Sequence, residues 1–263
     1  MDPITIIGIL GGFSAILLSA VLEGTHLGAL FHPAAMLLIA GGTLGATSAC
    51  FSMSEMLGLI KSTMETIKKP SSHPKELFEA FSEMATVARR EGVLALEQLS
   101  TRYSNDFLRR GIQLLVDGTS PELLKDILTS ALATEETKLK TQASIYAAAG
   151  GFAPTMGIIG TVIGLVHVLG NLSEPEKLGH SIAGAFLATL YGIGLANLVL
   201  LPLGKKIGFR AHQEVELGFI AIEGLISIQS GDNPRTVQQK ILALIPRAEH
   251  GHLRAAQSDD SEK

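Results

Sequence analysis

A chain of 263 residues that is 46% apolar and only 17% charged falls well short of a soluble domain, in which about a quarter of residues are charged. Its net charge of −4 and the lack of any dense basic cluster argue against nucleic acid as a partner. The single Cys50 excludes an internal disulfide and a cysteine-based metal site, and its apolar surroundings predict a packed thiol.

Four stretches read as membrane spans: roughly Ile4 to Leu22, Pro33 to Phe51, Tyr146 to Gly170 and Ser181 to Leu203. Met1-Asp2-Pro3 lacks the positive n-region of a secretory signal, and a second apolar run follows soon after, so the first span is expected to stay uncleaved. The loop Glu23–His32 carries no Lys or Arg, and Asn171–His180 carries only Lys177. Residues 52–143 hold twelve Lys or Arg and the tail after Gly204 holds eight, with Lys205, Lys206 and Arg210 close to a span end. The positive-inside rule then places both short loops outside, and the middle region and both termini in the cytoplasm.

Between the second and third spans the pattern is helical and polar. Met53–Lys69 is expected to stop at Lys68-Lys69-Pro70, where cations and a proline end a helix. His73-Pro74 opens the next helix, with Leu77, Phe81, Met84 and Val87 on one face as far as Arg89-Arg90-Glu91-Gly92. Val93–Leu99 is a short segment, and Asn105 or Asp106 caps a helix ending at Asp117-Gly118. Ser120-Pro121-Glu122 supplies an N-cap followed by proline at the first helical position. From there no breaker intervenes through Lys140, so one long helix is expected to continue into the third span. After the fourth span, Lys205–Ser230 reads as a separate amphipathic helix, Pro234 opens a short one to about Leu244, and His250–Lys263 is polar and expected to be disordered. The predicted architecture is an all-α integral membrane protein. Its parts are spans one and two (1–51), a helical cytoplasmic domain (52–143), spans three and four (144–203), a cytoplasmic helical tail (204–249) and the polar end (250–263).

The third span carries six Gly, Pro154 and two Thr, a poor recipe for an isolated helix. Gly160 and Gly164 form a small-xxx-small pair that lets a neighbouring helix approach closely, and Pro154, Gly157, Thr161, Gly164 and Val168 share one face. In the fourth span Ala185, Thr189, Gly192 and Ala196 form a matching face. Each threonine has two readings: a bond to its own backbone four residues back, or an oxygen offered to a cation or to a carboxylate from another helix. His167 is the one histidine inside a span; it reads as snorkelling to the interface, with contact to a permeating ion as the alternative. His26, His32 and His180 read as solvated at the outer face.

No HExxH, P-loop or GxSxG pattern is present, and no histidine pairs with a second ligand at metal spacing, so neither an enzyme nor a cofactor is indicated. None of the four spans contains Asp, Glu, Lys or Arg, although ion-coupled sites in membranes use ionisable groups. If the chain conducts, a partner must bring the titrating group. An autonomous transporter would carry its own polar site or repeated halves, and neither is visible.

Ala153-Pro154-Thr155-Met156-Gly157-Ile158-Ile159-Gly160-Thr161-Val162-Ile163-Gly164-Leu165 resembles the third-span motif of the MotA/PomA family, the A subunits of bacterial flagellar stators. Ala188-Thr189-Leu190-Tyr191-Gly192, Asn197, Pro202, Ala88-Arg89-Arg90-Glu91-Gly92, Glu97, Gly231 and Pro234 extend the resemblance over nearly the whole chain. It implies a multi-pass protein of the bacterial inner membrane, forming a homopentamer around B subunits (MotB/PomB) whose aspartate binds the cation. Cation flow would turn the ring and push the rotor protein FliG. By the same resemblance Pro154, Thr161 and Thr189 line the ion pathway, while the spacing of Gly157, Gly160 and Gly164 marks them as helix-packing positions. Arg89, Arg90 and Glu97 would face the rotor, and Pro154 and Pro234 would couple flow to motion. The Thr161 match favours Na+ over H+, against which stand His26 and Ala188 at positions where sodium-type members carry other residues. The alternatives are a TolQ/ExbB-like energiser of outer-membrane processes, disfavoured by two spans before residue 52, and a non-conducting membrane scaffold.

Overall fold

The protein is described from a computed structural model that covers residues 3–67, 74–103, 105–171 and 175–245. Ten α-helices account for most of them: α1 (Pro3–Leu22), α2 (Pro33–Ser48), α3 (Met53–Ile67), α4 (Pro74–Glu91), α5 (Leu96–Ser100), α6 (Asp106–Val116), α7 (Pro121–Gly170), α8 (Pro175–Leu195), α9 (Leu201–Gln229) and α10 (Pro234–Leu244). No strand occurs among the described residues. The expected stop at Lys68-Lys69-Pro70, the side chain of His180 and the polar tail His250–Lys263 lie outside the described residues. Four helical stretches are long and apolar enough to cross a membrane, beginning at Ile4, Leu27, Pro121 and Ser181. The chain divides into two compact units, Met1–Lys69 with Lys138–Arg210 and Pro70–Thr137 with Ala211–Lys263.

The first unit holds the membrane helices. The buried residues of α2, Ala35, Ile39, Thr43 and Thr47, recur every four positions, which is one face of a helix, and α2 packs against α8. Helix α3 belongs to this unit, although its charge places it with the middle region in sequence. Its start is a capping box, in which the Ser52 N–H donates to Glu55 Oε2 at 2.7 Å and the Glu55 N–H donates to Ser52 Oγ at 3.4 Å. Its far end is tied to α7 by a hydrogen bond between the Thr63 and Tyr146 hydroxyls. Cys50 is exposed rather than packed, because α2 ends at Ser48 and the thiol sits in the following turn, where it donates to Ala46 O at 3.4 Å.

The fourth span does not stop at Leu203. Helix α8 starts at Pro175, passes through a π-helical turn at Ala196–Leu200 and runs on as α9 to Gln229, so Lys205–Ser230 is not a separate helix. The change from apolar to charged residues at Lys205 does not interrupt the helix. Pro202 has no N–H and would crowd the carbonyl one turn earlier in a regular α-helix. The wider turn relieves this: the Leu201 N–H reaches back to Ala196 O, and the Asn197 side chain donates to Ile193 O at 3.0 Å.

The second unit has a conventional apolar core. Leu77, Phe78, Phe81 and Met84 of α4, Leu96 and Leu99 of α5, and Leu108, Ile112 and Leu115 of α6 pack with Leu124 and Leu128 of α7 and with Ile222, Leu225, Val237 and Ile241 of α9 and α10. Asn105 rather than Asp106 caps α6, its Oδ1 accepting from Phe107 N at 2.9 Å and Leu108 N at 3.1 Å. Gln238 of α10 donates to Ser82 of α4 at 3.1 Å, adding a polar fastening to that packing.

Candidate functional site

Helices α7 and α8 run antiparallel and almost touch. A methyl group at Gly192 would lie 2.4 Å from Ala153 O, one at Gly157 would lie 3.0 Å from Ala188 O, and one at Gly164 would lie 2.6 Å from Ala185 Cβ. Gly160 faces the same neighbours, its missing methyl 2.6 Å from Ala188 Cβ and 3.0 Å from Leu38 of α2. Backbone against backbone is the contact that small residues permit in a membrane helix pair. The expected faces of the third and fourth spans are thus the two sides of one seam.

Within this seam the structure brings Thr161 and Thr189 together. Their hydroxyls are 2.5 Å apart. Thr161 Oγ1 also reaches Gly157 O at 3.1 Å and Ala185 O at 3.0 Å, and Thr189 Oγ1 lies 3.4 Å from Gly157 O. Thr161 bonds its own backbone, yet each hydroxyl also reaches the carbonyl one turn below the other threonine. Only two hydroxyl protons are shared among Gly157 O, Ala185 O and the two threonine oxygens, so the hydroxyls retain lone-pair capacity. Both threonines are half-buried, and Ile158, Ile159, Val162 and Ile163 on the remaining faces of α7 are exposed. Pro154 is half-buried one turn before Gly157. No cluster of His, Cys, Asp or Glu suited to a metal exists among the described residues.

The other candidates lie elsewhere. His167 is exposed near the end of α7, where the Asn171 side chain donates to its carbonyl at 2.8 Å. His26 is exposed, as expected. His32 is not merely solvated. Its N–H donates to the Tyr191 hydroxyl at 3.1 Å, its ring Nδ1 accepts from Ala35 N at 3.3 Å as the N-cap of α2, and its Nε2 lies 2.6 Å from where a Gly184 methyl would be. Tyr191 donates in turn to Leu30 O. Sequence reading missed this cluster because its partners are 159 positions apart. The histidine directly before Pro33, at a helix start, is the only local hint of a capping role.

In the second unit Arg89 and Arg90 end α4, and Glu97 opens α5 after Gly92, whose φ of 85° turns the chain between them. All three side chains are exposed, and none bonds to another described side chain. Pro234 occupies the first turn of α10, whose N-cap Asn233 accepts from Thr236 N at 2.9 Å. The turn before it is pinned by Asp232, which accepts from Lys240 Nζ at 2.7 Å and from the buried Ser227 hydroxyl at 2.5 Å. These bonds, Lys240 first and Ser227 next, hold the Asp232 carboxyl below its ordinary range.

Residues 6–92 match the family described as Motility protein A N-terminal, and residues 100–217 match the MotA/TolQ/ExbB proton channel family. The chain is 37% identical over 248 residues to Motility protein A of Bacillus subtilis, covering 94% of this chain and 92% of that one. It is 33% identical to Chemotaxis protein PomA of Vibrio alginolyticus, covering 90% and 92% respectively. Among solved structures it resembles the flagellar MotAB stator complex from Bacillus subtilis with a TM-score of 0.86 and 36% identity, covering 93% of this chain and 97% of that one.

Proposed function

The chain belongs to the motility protein A (MotA/PomA) family, and on that premise we propose that it is the A subunit of a flagellar stator, forming a cation channel with a B subunit and driving rotor rotation. The observation that carries this reading is the α7–α8 seam: paired hydroxyls in spans that contain no Asp, Glu, Lys or Arg. A wall of that kind stabilises a cation only when a carboxylate arrives from another chain. The likeness to a MotAB complex supports a B-type partner that brings one. The exposed apolar residues of α7 supply contact area for that partner and for further copies of this chain, in keeping with a homopentamer.

Na+ is the favoured cation, because hydroxyl and carbonyl oxygens at Thr161, Thr189, Gly157 and Ala185 are ligands for a hard metal ion, whereas a proton needs only the partner's carboxylate. Both termini and residues 52–143 face the cytoplasm, where Arg89, Arg90 and Glu97 engage charges on FliG. Pro154 and Pro234 transmit the motion. The TolQ/ExbB-type reading is disfavoured by α1 and α2 preceding the middle region.

The test is complementation. Cells lacking their own stators receive this chain with its B partner, and swimming speed is measured against Na+ at fixed pH and against pH at fixed Na+. Restored swimming that rises with Na+ is expected. Absence of swimming despite normal assembly in the membrane refutes the stator role, and speed that ignores Na+ but follows pH refutes the ion assignment.

A further inference from the structure

Thr189 and Tyr191 are two residues apart on α8 and therefore point about 200° apart around its axis. One faces the α7 seam and the other faces the segment Leu30–Ala35. The Tyr191 hydroxyl has both hydrogen-bonding functions engaged there, donating to Leu30 O and accepting from His32 N. Two turns away on the same face, Gly184 leaves room for the His32 ring, whose Nε2 lies 2.6 Å from the position of a missing methyl. The ring is held in turn by the Ala35 N–H on its Nδ1. Helix α8 is thus keyed to one short segment at two points, which fixes its rotation about its own axis.

That rotation matters at the seam. A turn of about 10° moves a side-chain atom roughly 5 Å from the axis by about 1 Å. The Thr189 hydroxyl contacts span only 2.5 to 3.4 Å, so such a displacement carries the contact to Gly157 O out of hydrogen-bond range and loosens the one to Thr161. The small residues opposite cannot resist it by side-chain interlocking, because Gly157, Gly160 and Gly164 of α7 have no side chains to interlock. Resistance has to come from the other side of the helix.

We propose that the Tyr191 hydroxyl, by bridging Leu30 and His32, is a positioning element that holds Thr189 at the register required by the transported cation. The proposal rests on the stator reading above. A tyrosine that merely fills space would do so equally well as phenylalanine. A hydroxyl that sets the geometry of a cation ligand changes apparent cation affinity when removed.

The experiment uses the complete complex in cells lacking their own stators and compares the wild-type chain with Tyr191→Phe, Gly184→Ala and Gly194→Ala. Gly184→Ala pushes a methyl into the His32 ring, and Gly194→Ala adds one where nothing lies within 4 Å. Membrane level and co-purification with the B subunit establish assembly, and swimming speed is titrated with Na+ and with pH. In Tyr191→Phe and Gly184→Ala the half-saturating concentration of the driving cation is expected to rise roughly threefold to tenfold, the effect of losing about one hydrogen bond of positioning. Speed at saturating cation should stay near wild type, and Gly194→Ala should titrate like wild type. Unchanged half-saturation in both variants overturns the proposal. So does a loss of saturating speed or of assembly in both, which would make the cluster structural only. A wild-type chain that restores no swimming refutes the stator reading and takes this proposal with it, whereas wild-type swimming with unshifted variants refutes this proposal alone.

Discussion

Thr161 and Thr189 are 28 positions apart in the chain, and their hydroxyls meet at 2.5 Å across the glycine-lined contact of α7 and α8. Neither group can carry a charge. What the pair offers is hydroxyl oxygen, with Gly157 O and Ala185 O beside it to accept the hydroxyl hydrogen bonds.

Replacing Thr161 by Val keeps the branched shape and removes that oxygen. In the complemented strain the half-saturating Na+ concentration is expected to rise by about tenfold, corresponding to roughly 1.4 kcal/mol of lost cation stabilisation. Thr161→Ser should restore most of the affinity, because the hydroxyl returns without the methyl. Equal titration curves for the Val and Ser variants would mean that the hydroxyl is not a cation ligand.

Gly192→Ala places a methyl 2.4 Å from Ala153 O, a backbone atom that cannot rotate away. Over-packing of this kind costs about 1–3 kcal/mol. A lower melting temperature of the detergent-solubilised protein is expected. Gly11→Ala, where nothing lies within 4 Å, should leave it unchanged.

The Asp232 latch makes the second unit sensitive to acid. The folded carboxyl is held below its ordinary value, first by Lys240 and then by Ser227. Its stabilisation is therefore present above the ordinary carboxylate pKa of about 4 and is lost as pH falls through the folded value. The Lys240 and Asp232 side chains retain 41% and 26% of their exposure, so the ion pair contributes at most about 1 kcal/mol. Asp232→Asn should lower the melting temperature at neutral pH and flatten its decline between about pH 5 and pH 3. An unchanged acid decline would show that other carboxylates control it.

Reversing charge at Arg89 and Arg90 together should reduce swimming in the complemented strain while leaving membrane level and melting temperature unchanged. Exposed side chains that bond to no other described side chain contribute little to stability. A parallel fall in melting temperature would point to a structural role instead.

Much of this architecture is legible in the sequence because its signals are local. Charge-free runs mark the spans, Ser120-Pro121 marks the start of α7, and Asn105 marks that of α6. The matching small-residue faces of α7 and α8 are visible as helical periodicity, whereas their meeting with each other is a finding of the structure. Three features were out of reach. The Tyr191–His32 contact joins groups 159 positions apart, and no periodicity encodes such a pairing. Helix α3 reads as part of the polar middle region, but its place is decided by Thr63 meeting Tyr146. The continuity of α8 into α9 was hidden because a change in polarity at Lys205 and a proline at position 202 together imitate a helix end.

The π-helical turn at Ala196–Leu200 has a consequence for anyone splicing this chain to a relative. One surplus residue in a helix shifts everything after it backwards by about 100° in angular phase. A helical wheel drawn with a single period from Pro175 to Gln229 therefore assigns the wrong faces to the residues beyond the turn. A chimera whose donor lacks the extra residue, joined anywhere inside 196–200, would aim Ile207 and Ala211 away from the interior they now occupy. Crossovers placed before Ala196 or after Leu200 keep the surplus residue with one parent and preserve the phase on both sides.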